Sequence, residues 1–96
     1  MKEFYVYILT NKNNHVLYTG VTGNLYERIH QHKAGHGSRF TGRYNVNKLV
    51  YVEVFSDPLD AIEREKQIKA GSRQDKVDLI NEVNPGWKDL MSEWSF

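Results

Sequence analysis

Apolar positions along this chain fall into short runs whose period changes from one to the next. Phe4 to Leu9, FYVYIL, is apolar or aromatic at every position, the pattern of a strand covered on both faces and therefore central in its sheet. The polar cluster TNKNNH follows, and Val16 to Val21 returns as a second strand, which makes a hairpin. With two central loop residues, Lys12-Asn13 or Asn13-Asn14, Tyr7 sits across from Tyr18 or Gly20. Either register places Tyr7 and Tyr18 on one face, because side chains alternate along a strand. A third strand is predicted over Leu49 to Phe55, LVYVEVF.

Helical spacing accounts for the rest. Asn24 suits the N-cap of a helix over Leu25 to about Lys33, which AGHG then stops; Leu25, Arg28, Ile29 and His32 share one side of it. Asp57 followed by Pro58 predicts a second helix that ends near Gly71. Ser72, with Asp75 three residues on, predicts a capping box for a third, RQDKVDLINEV. NPGW breaks that helix, and Trp87, Leu90, Met91 and Trp94 then recur at helical spacing, suited to covering a thin core. The order β-β-α-β-α-α predicts a compact α+β fold: a three-stranded mixed sheet, first strand in the middle, flanked by helices.

Length and composition narrow the class. The 96 residues suit a single domain over 1–96, and folding at this size hides about 60–65% of the unfolded surface. Without cysteine, neither disulfides nor thiolate zinc ligands are available, which suits a cytoplasmic protein. The amino terminus reads as a strand and not as a signal peptide, and no apolar run approaches the roughly 20 residues of a membrane span. The net charge of +1 hides an asymmetry. Between Glu27 and Glu53 lie Arg28, Lys33, Arg39, Arg43 and Lys48, three histidines and no acid, a local field that attracts anions.

One carboxylate breaks the amphipathic pattern. At about 100° per residue, with Ala61 at zero, Ile68 falls near −20° and Glu65 near 40°, inside the apolar arc, whereas Glu63 points to the far side. An ionised carboxylate facing a core needs a partner. An arginine or a tyrosine hydroxyl from the sheet would serve. So would a divalent cation; magnesium suits a lone carboxylate because it keeps waters and takes further ligands from a substrate phosphate. Zinc is disfavoured, since His32 and His36 straddle the helix end and no acid lies nearby after Glu27.

Taken in order, YVY at Tyr5–Tyr7, YTG at Tyr18–Gly20, Arg28 and His32 on one helix and Glu65 on a later one resemble the GIY-YIG nuclease domain, as do REKQIK at Arg64–Lys69 and the closing NPGWKDL. The likeness is nearest to small stand-alone bacterial members, themselves similar to the amino-terminal nuclease domain of the bacterial excision-repair endonuclease. The resemblance implies an endonuclease that hydrolyses DNA phosphodiester bonds with Mg²⁺ or Mn²⁺, in repair or recombination. It implies catalytic roles for Tyr7, Tyr18, Arg28, His32 and Glu65, with Glu65 the metal ligand. Lys33, Arg39, Arg43 and Lys69 are then expected along the nucleic-acid backbone. Tyr5 stands in place of the family's glycine and Thr19 in place of its isoleucine. A family asparagine beyond the glutamate has Asn81 and Asn84 as candidates. Which tyrosine positions or deprotonates the attacking water is open at this level. A domain that binds nucleic acid on this fold without cutting it is the alternative.

Overall fold

Five consecutive residues of the first strand, Val6 to Thr10, are buried, and burial on both faces forces that strand to the centre. In the computed structural model, which describes residues 2–93, β1 (Phe4–Thr10) lies between β2 (Leu17–Thr22) and β3 (Lys48–Phe55). Tyr7 pairs with Gly20 and Leu9 with Tyr18 across the hairpin, which is one of the two registers that put both tyrosines on one face. The expected mixed sheet is corrected: β1 runs antiparallel to both neighbours. The long connection from β2 to β3 does join strands of the same direction, but β1 sits between them, so no parallel pair forms.

Alternation divides the interior in two. Val6 and Ile8 face Val50, Tyr51, Ala61, Ile68 and Ile80, under α3 (Pro58–Ala70) and α4 (Arg73–Val83). Tyr7 and Leu9 face Leu25, Ile29, Val46, Leu49 and Met91, under α1 (Leu25–Lys33). A bulge in β3 lets Ile8 pair with Tyr51 while Leu9 pairs with Leu49, so Val50 and Tyr51 both join the first cluster; one unpaired residue re-aims the strand.

The helix starts follow the local chemistry of the sequence. Asn24 caps α1 by accepting the Glu27 amide at 3.2 Å, Asp57 caps α3 through the Leu59 amide at 2.8 Å, and Ser72 and Asp75 form the capping box of α4. Each cap satisfies an amide that the helix itself leaves unpaired. A short helix, α2 (Arg39–Arg43), stands where only a basic stretch is read from sequence; Ser38 caps it by accepting the Thr41 amide at 3.1 Å. α3 is tied to β3 by Arg64 Nε, 3.0 Å from Glu53 Oε2, and the Tyr51 hydroxyl donates to the same carboxylate.

The tail departs from the expected single helical stripe. Trp87 packs with the α3–α4 cluster, whereas Leu90 and Met91, in a 3-10 turn (Leu90–Glu93), pack with the α1 cluster; Trp94 lies outside the described residues. NPGW makes this split possible. Asn84, buried at the end of α4, donates to the carbonyls of Val50 at 3.1 Å and Lys88 at 2.9 Å, and Asn81 accepts the Trp87 indole N–H at 2.7 Å. Both candidate asparagines therefore fasten the tail to the domain.

Candidate active site

Four of the sequence-predicted residues meet on the α1 face of the sheet. Tyr7 reaches outward over Gly20, where any side chain would occupy the space of the phenol ring, so the glycine of YTG is required by the tyrosine of YVY. The Tyr7 hydroxyl lies 3.0 Å from His32 Nε2. The Tyr18 ring is 6.5 Å from Tyr7 and 5.5 Å from His32, centroid to centroid. Arg28, one turn before His32 on α1, is half-buried, interacts with both phenols, and donates from one guanidinium nitrogen to Gln31 Oε1 at 3.0 Å. On its outer side Arg28 shares with Lys2, Gly23, Gln31 and the acidic Glu27 the lining of a recess of about 310 Å³, large enough for a phosphate to approach the guanidinium.

His32 is 1% exposed and enclosed by partners. Its Nδ1 is 2.9 Å from Thr41 Oγ1, which is itself 2.9 Å from Ser38 Oγ, and Gly37 lies so close to the ring that a Cβ there would collide with it. Burial first, and then the charge of Arg28, lower the imidazole pKa from 6.5 to about 4, so the ring is neutral at physiological pH. Burial also raises the Tyr7 pKa, with hydrogen bonding and charge from Arg28 acting the other way. The donors then order themselves. Arg28 has no acceptor, so the buried Tyr7 hydroxyl directs its proton to His32 Nε2, His32 Nδ1–H donates to Thr41, and Thr41 donates to Ser38. Thr41 and Ser38 were not among the expected site residues; the only signal for them is the capping spacing S-x-x-T just beyond the α1 stop.

The titration of His32 has a measurable consequence. The unfolded chain takes up the proton near pH 6.5 and the folded chain only near 4, so this contribution to stability is complete above 6.5 and is lost as pH falls through that window. The loss by about pH 5 amounts to about 2 kcal/mol. Urea midpoints at about pH 7.5 and about pH 5 are expected to differ accordingly, and His32→Gln should remove most of the difference.

Glu65 comes to the site from a different helix. It lies on α3, whose Ala61 and Ile68 pack on the opposite face of the sheet from Tyr7, yet its charge is felt at the Tyr7 phenol. The side chain is 13% exposed, as its place in the apolar arc demands, and its partner is Lys69, one turn on, at 2.9 Å; neither an arginine nor a sheet tyrosine plays the part expected for it. Among the described residues no three histidines, cysteines or acids gather as a metal group. What Glu65 offers is a single carboxylate, a donor that hard cations such as Mg²⁺ take together with water and phosphate oxygens. Lys69 is half exposed, so its ammonium can turn out to water when another cation takes the carboxylate.

The expected backbone cations divide. Arg39 and Arg43 are exposed on α2. Lys69 is held by Glu65. Lys33 is paired within the fold: its ammonium lies 2.6 Å from Asp89 and 3.1 Å from the Asn47 carbonyl, because the tail folds back beneath the end of α1 and brings an acid to a segment that has none of its own.

A profile described as the GIY-YIG catalytic domain matches residues 3–78. The chain belongs to the GIY-YIG family. It is 45% identical over 82 residues to a UPF0213 protein of Staphylococcus haemolyticus, covering 85% of this chain and 99% of the relative. It is 44% identical over 77 residues to one from Clostridium perfringens, covering 80% and 82%. The solution NMR structure of a UPF0213 protein from Bacillus halodurans superposes with a TM-score of 0.59 at 28% identity, covering 98% of this chain and 99% of the other. GIY-YIG is a nuclease family, and nucleic acid is the substrate class that goes with it. Within the GIY-YIG frame, Tyr5 is half-buried with its hydroxyl 3.3 Å from Glu3. Thr19 is buried on the opposite face from Tyr7, and its hydroxyl has no hydrogen-bond partner. No helix among the described residues is long and apolar enough to cross a membrane.

Proposed function

We propose that this chain is a metal-dependent endonuclease that hydrolyses phosphodiester bonds in DNA, with repair or recombination as its setting. The observation that carries the reading is the convergence of Tyr7, Tyr18, Arg28 and His32 at one place, with Arg28 open to an adjoining recess. These are the groups needed to bind a phosphate, orient a water and offset developing charge.

Burial divides the work of the two tyrosines. Tyr7 is 1% exposed and its phenol stays protonated, hydrogen-bonded between Arg28 and His32, so it positions. Tyr18 is half-buried beside the exposed Phe40; a base must come within hydrogen-bond reach of the proton it takes, and Tyr18 has that access. Its oxygen and a bound phosphate would both stand next to the permanent charge of Arg28, whose planar donors suit phosphate oxygens. His32, neutral and anchored through Thr41, holds Tyr7 and thereby Arg28 in place. Glu65 would hold the cation, Mg²⁺ or Mn²⁺; when bound, such an ion polarises the phosphoryl group and steadies the leaving oxygen. Arg39 and Arg43 would follow the backbone, giving affinity without sequence information.

The occupied state of Glu65, closed by Lys69, favours a second reading, a binding domain without catalysis. Incubation of the purified chain with duplex, branched and single-stranded DNA, with and without Mg²⁺ or Mn²⁺, separates them. Metal-dependent cleavage products are expected. Salt-sensitive binding with no product under any condition would support the binding domain instead.

A further inference from the structure

The short helix α2 carries a feature that cleavage chemistry alone does not use. Phe40 and Tyr44 are one turn apart, so they share a face, and their ring centroids are 5.0 Å apart. They are 42% and 45% exposed, although rings of this size normally go inside. Phe40 also lies 6.1 Å from Tyr18, with the ring planes inclined by only 25°, so aromatic surface runs without a break from the candidate active site onto α2. Arg43 stands 5.6 Å from the Tyr44 ring centre. With Arg39 these residues line a recess of about 320 Å³ that contains no carboxylate. The helix is held in place from below, where Thr41 is buried against His32, so the outward rings are fixed and not merely left over.

We propose that Phe40 and Tyr44 are a stacking platform for an unpaired base, placed beside the phosphate that Arg28 receives. The inference rests on the nuclease reading for that phosphate and adds the form of the strand: single-stranded, or locally unstacked, next to the cut. The chemistry selects the occupant. Flat apolar faces flanked by two guanidinium groups match a ligand that joins a π-face to a negative charge within one unit, which is a nucleotide. Inside a duplex the faces of a base are taken by its neighbours, so only an unpaired base can use the platform. Stacking of this kind tolerates any base, because each has a π-face, while Arg39 and Arg43 attract the adjoining phosphates.

The test measures binding without divalent metal, so that it does not depend on cleavage. Fluorescence anisotropy of the full chain is taken with a short labelled DNA strand, the matched RNA strand and the blunt DNA duplex. The single DNA strand is expected to bind about tenfold or more tightly than the duplex, and Tyr44→Ala to weaken that binding by about tenfold while changing duplex binding little. Tyr44→Trp should restore it, and Tyr44→Leu, which keeps apolar bulk without the π-face, should not. A 2-aminopurine in the strand should be quenched by the wild-type chain and less so by Tyr44→Ala. Equal weakening on RNA assigns the platform to bases of either polymer; weakening on DNA alone restricts it to DNA. Equal binding of strand and duplex, or Tyr44→Ala lowering both alike or neither, overturns the platform. That result would leave the nuclease reading standing if metal-dependent cleavage is seen, and a chain that stacks single strands yet never cuts would overturn the nuclease reading alone.

Discussion

Glu65→Gln is expected to eliminate metal-dependent cleavage, by roughly a thousandfold or more, while nucleic-acid binding without metal is retained. The size follows from the several kcal/mol that a bound cation contributes to phosphoryl chemistry, at about 1.4 kcal/mol per factor of ten. The fold should survive. The partner set free is Lys69, half exposed, whose ammonium can return to water, while glutamine removes the charge from a position only 13% exposed. Glutamine keeps the shape of the side chain and can still be packed beneath the helix. Cleavage rates over a Mg²⁺ titration, read beside anisotropy in metal-free buffer and a thermal midpoint, check all three statements. Undiminished cleavage would remove Glu65 from the chemistry; lost binding together with a lowered midpoint would make it a structural residue.

That Glu65 stood out in the sequence while its partner did not is typical of what could be read. Its place in the apolar arc is a matter of helical period, and the 13% exposure agrees with it. Yet the same wheel sets Ile62 beside that arc, and Ile62 is 41% exposed, because the period gives direction and not how far the sheet extends beneath. Lys69 at i, i+4 was available as a partner by spacing alone. The hairpin parity, the caps at Asn24, Asp57 and Ser72 and the central position of β1 are local properties, carried by a few adjacent residues, and they came through. The strand directions did not, since a crossover that skips over β1 leaves no local mark. Nor did α2: five residues with a glycine among them show no period, and the arrangement of Ser38, Thr41 and His32 depends on how that segment folds back over α1.

Arg28→Lys is expected to reduce turnover by about a hundredfold to a thousandfold, the effect of removing one well-placed donor to a developing anion, about 2.7–4 kcal/mol. Charge is conserved in this change, so simple attraction of nucleic acid should persist. What is lost is the fork. Arg28 gives one nitrogen to Gln31 and turns the rest of the guanidinium to Tyr7 and Tyr18, and an ammonium on a flexible stem cannot serve all of these together with a phosphate. A further readout distinguishes catalysis from packing. Binding of cleaved product, where no transition-state charge is present, should change only a few-fold in the lysine variant. If turnover in the lysine variant stays within a few-fold of the wild-type chain, the guanidinium fork is not what steadies the phosphate, and that positive group must be sought elsewhere, with Lys2 across the same recess the next residue to substitute.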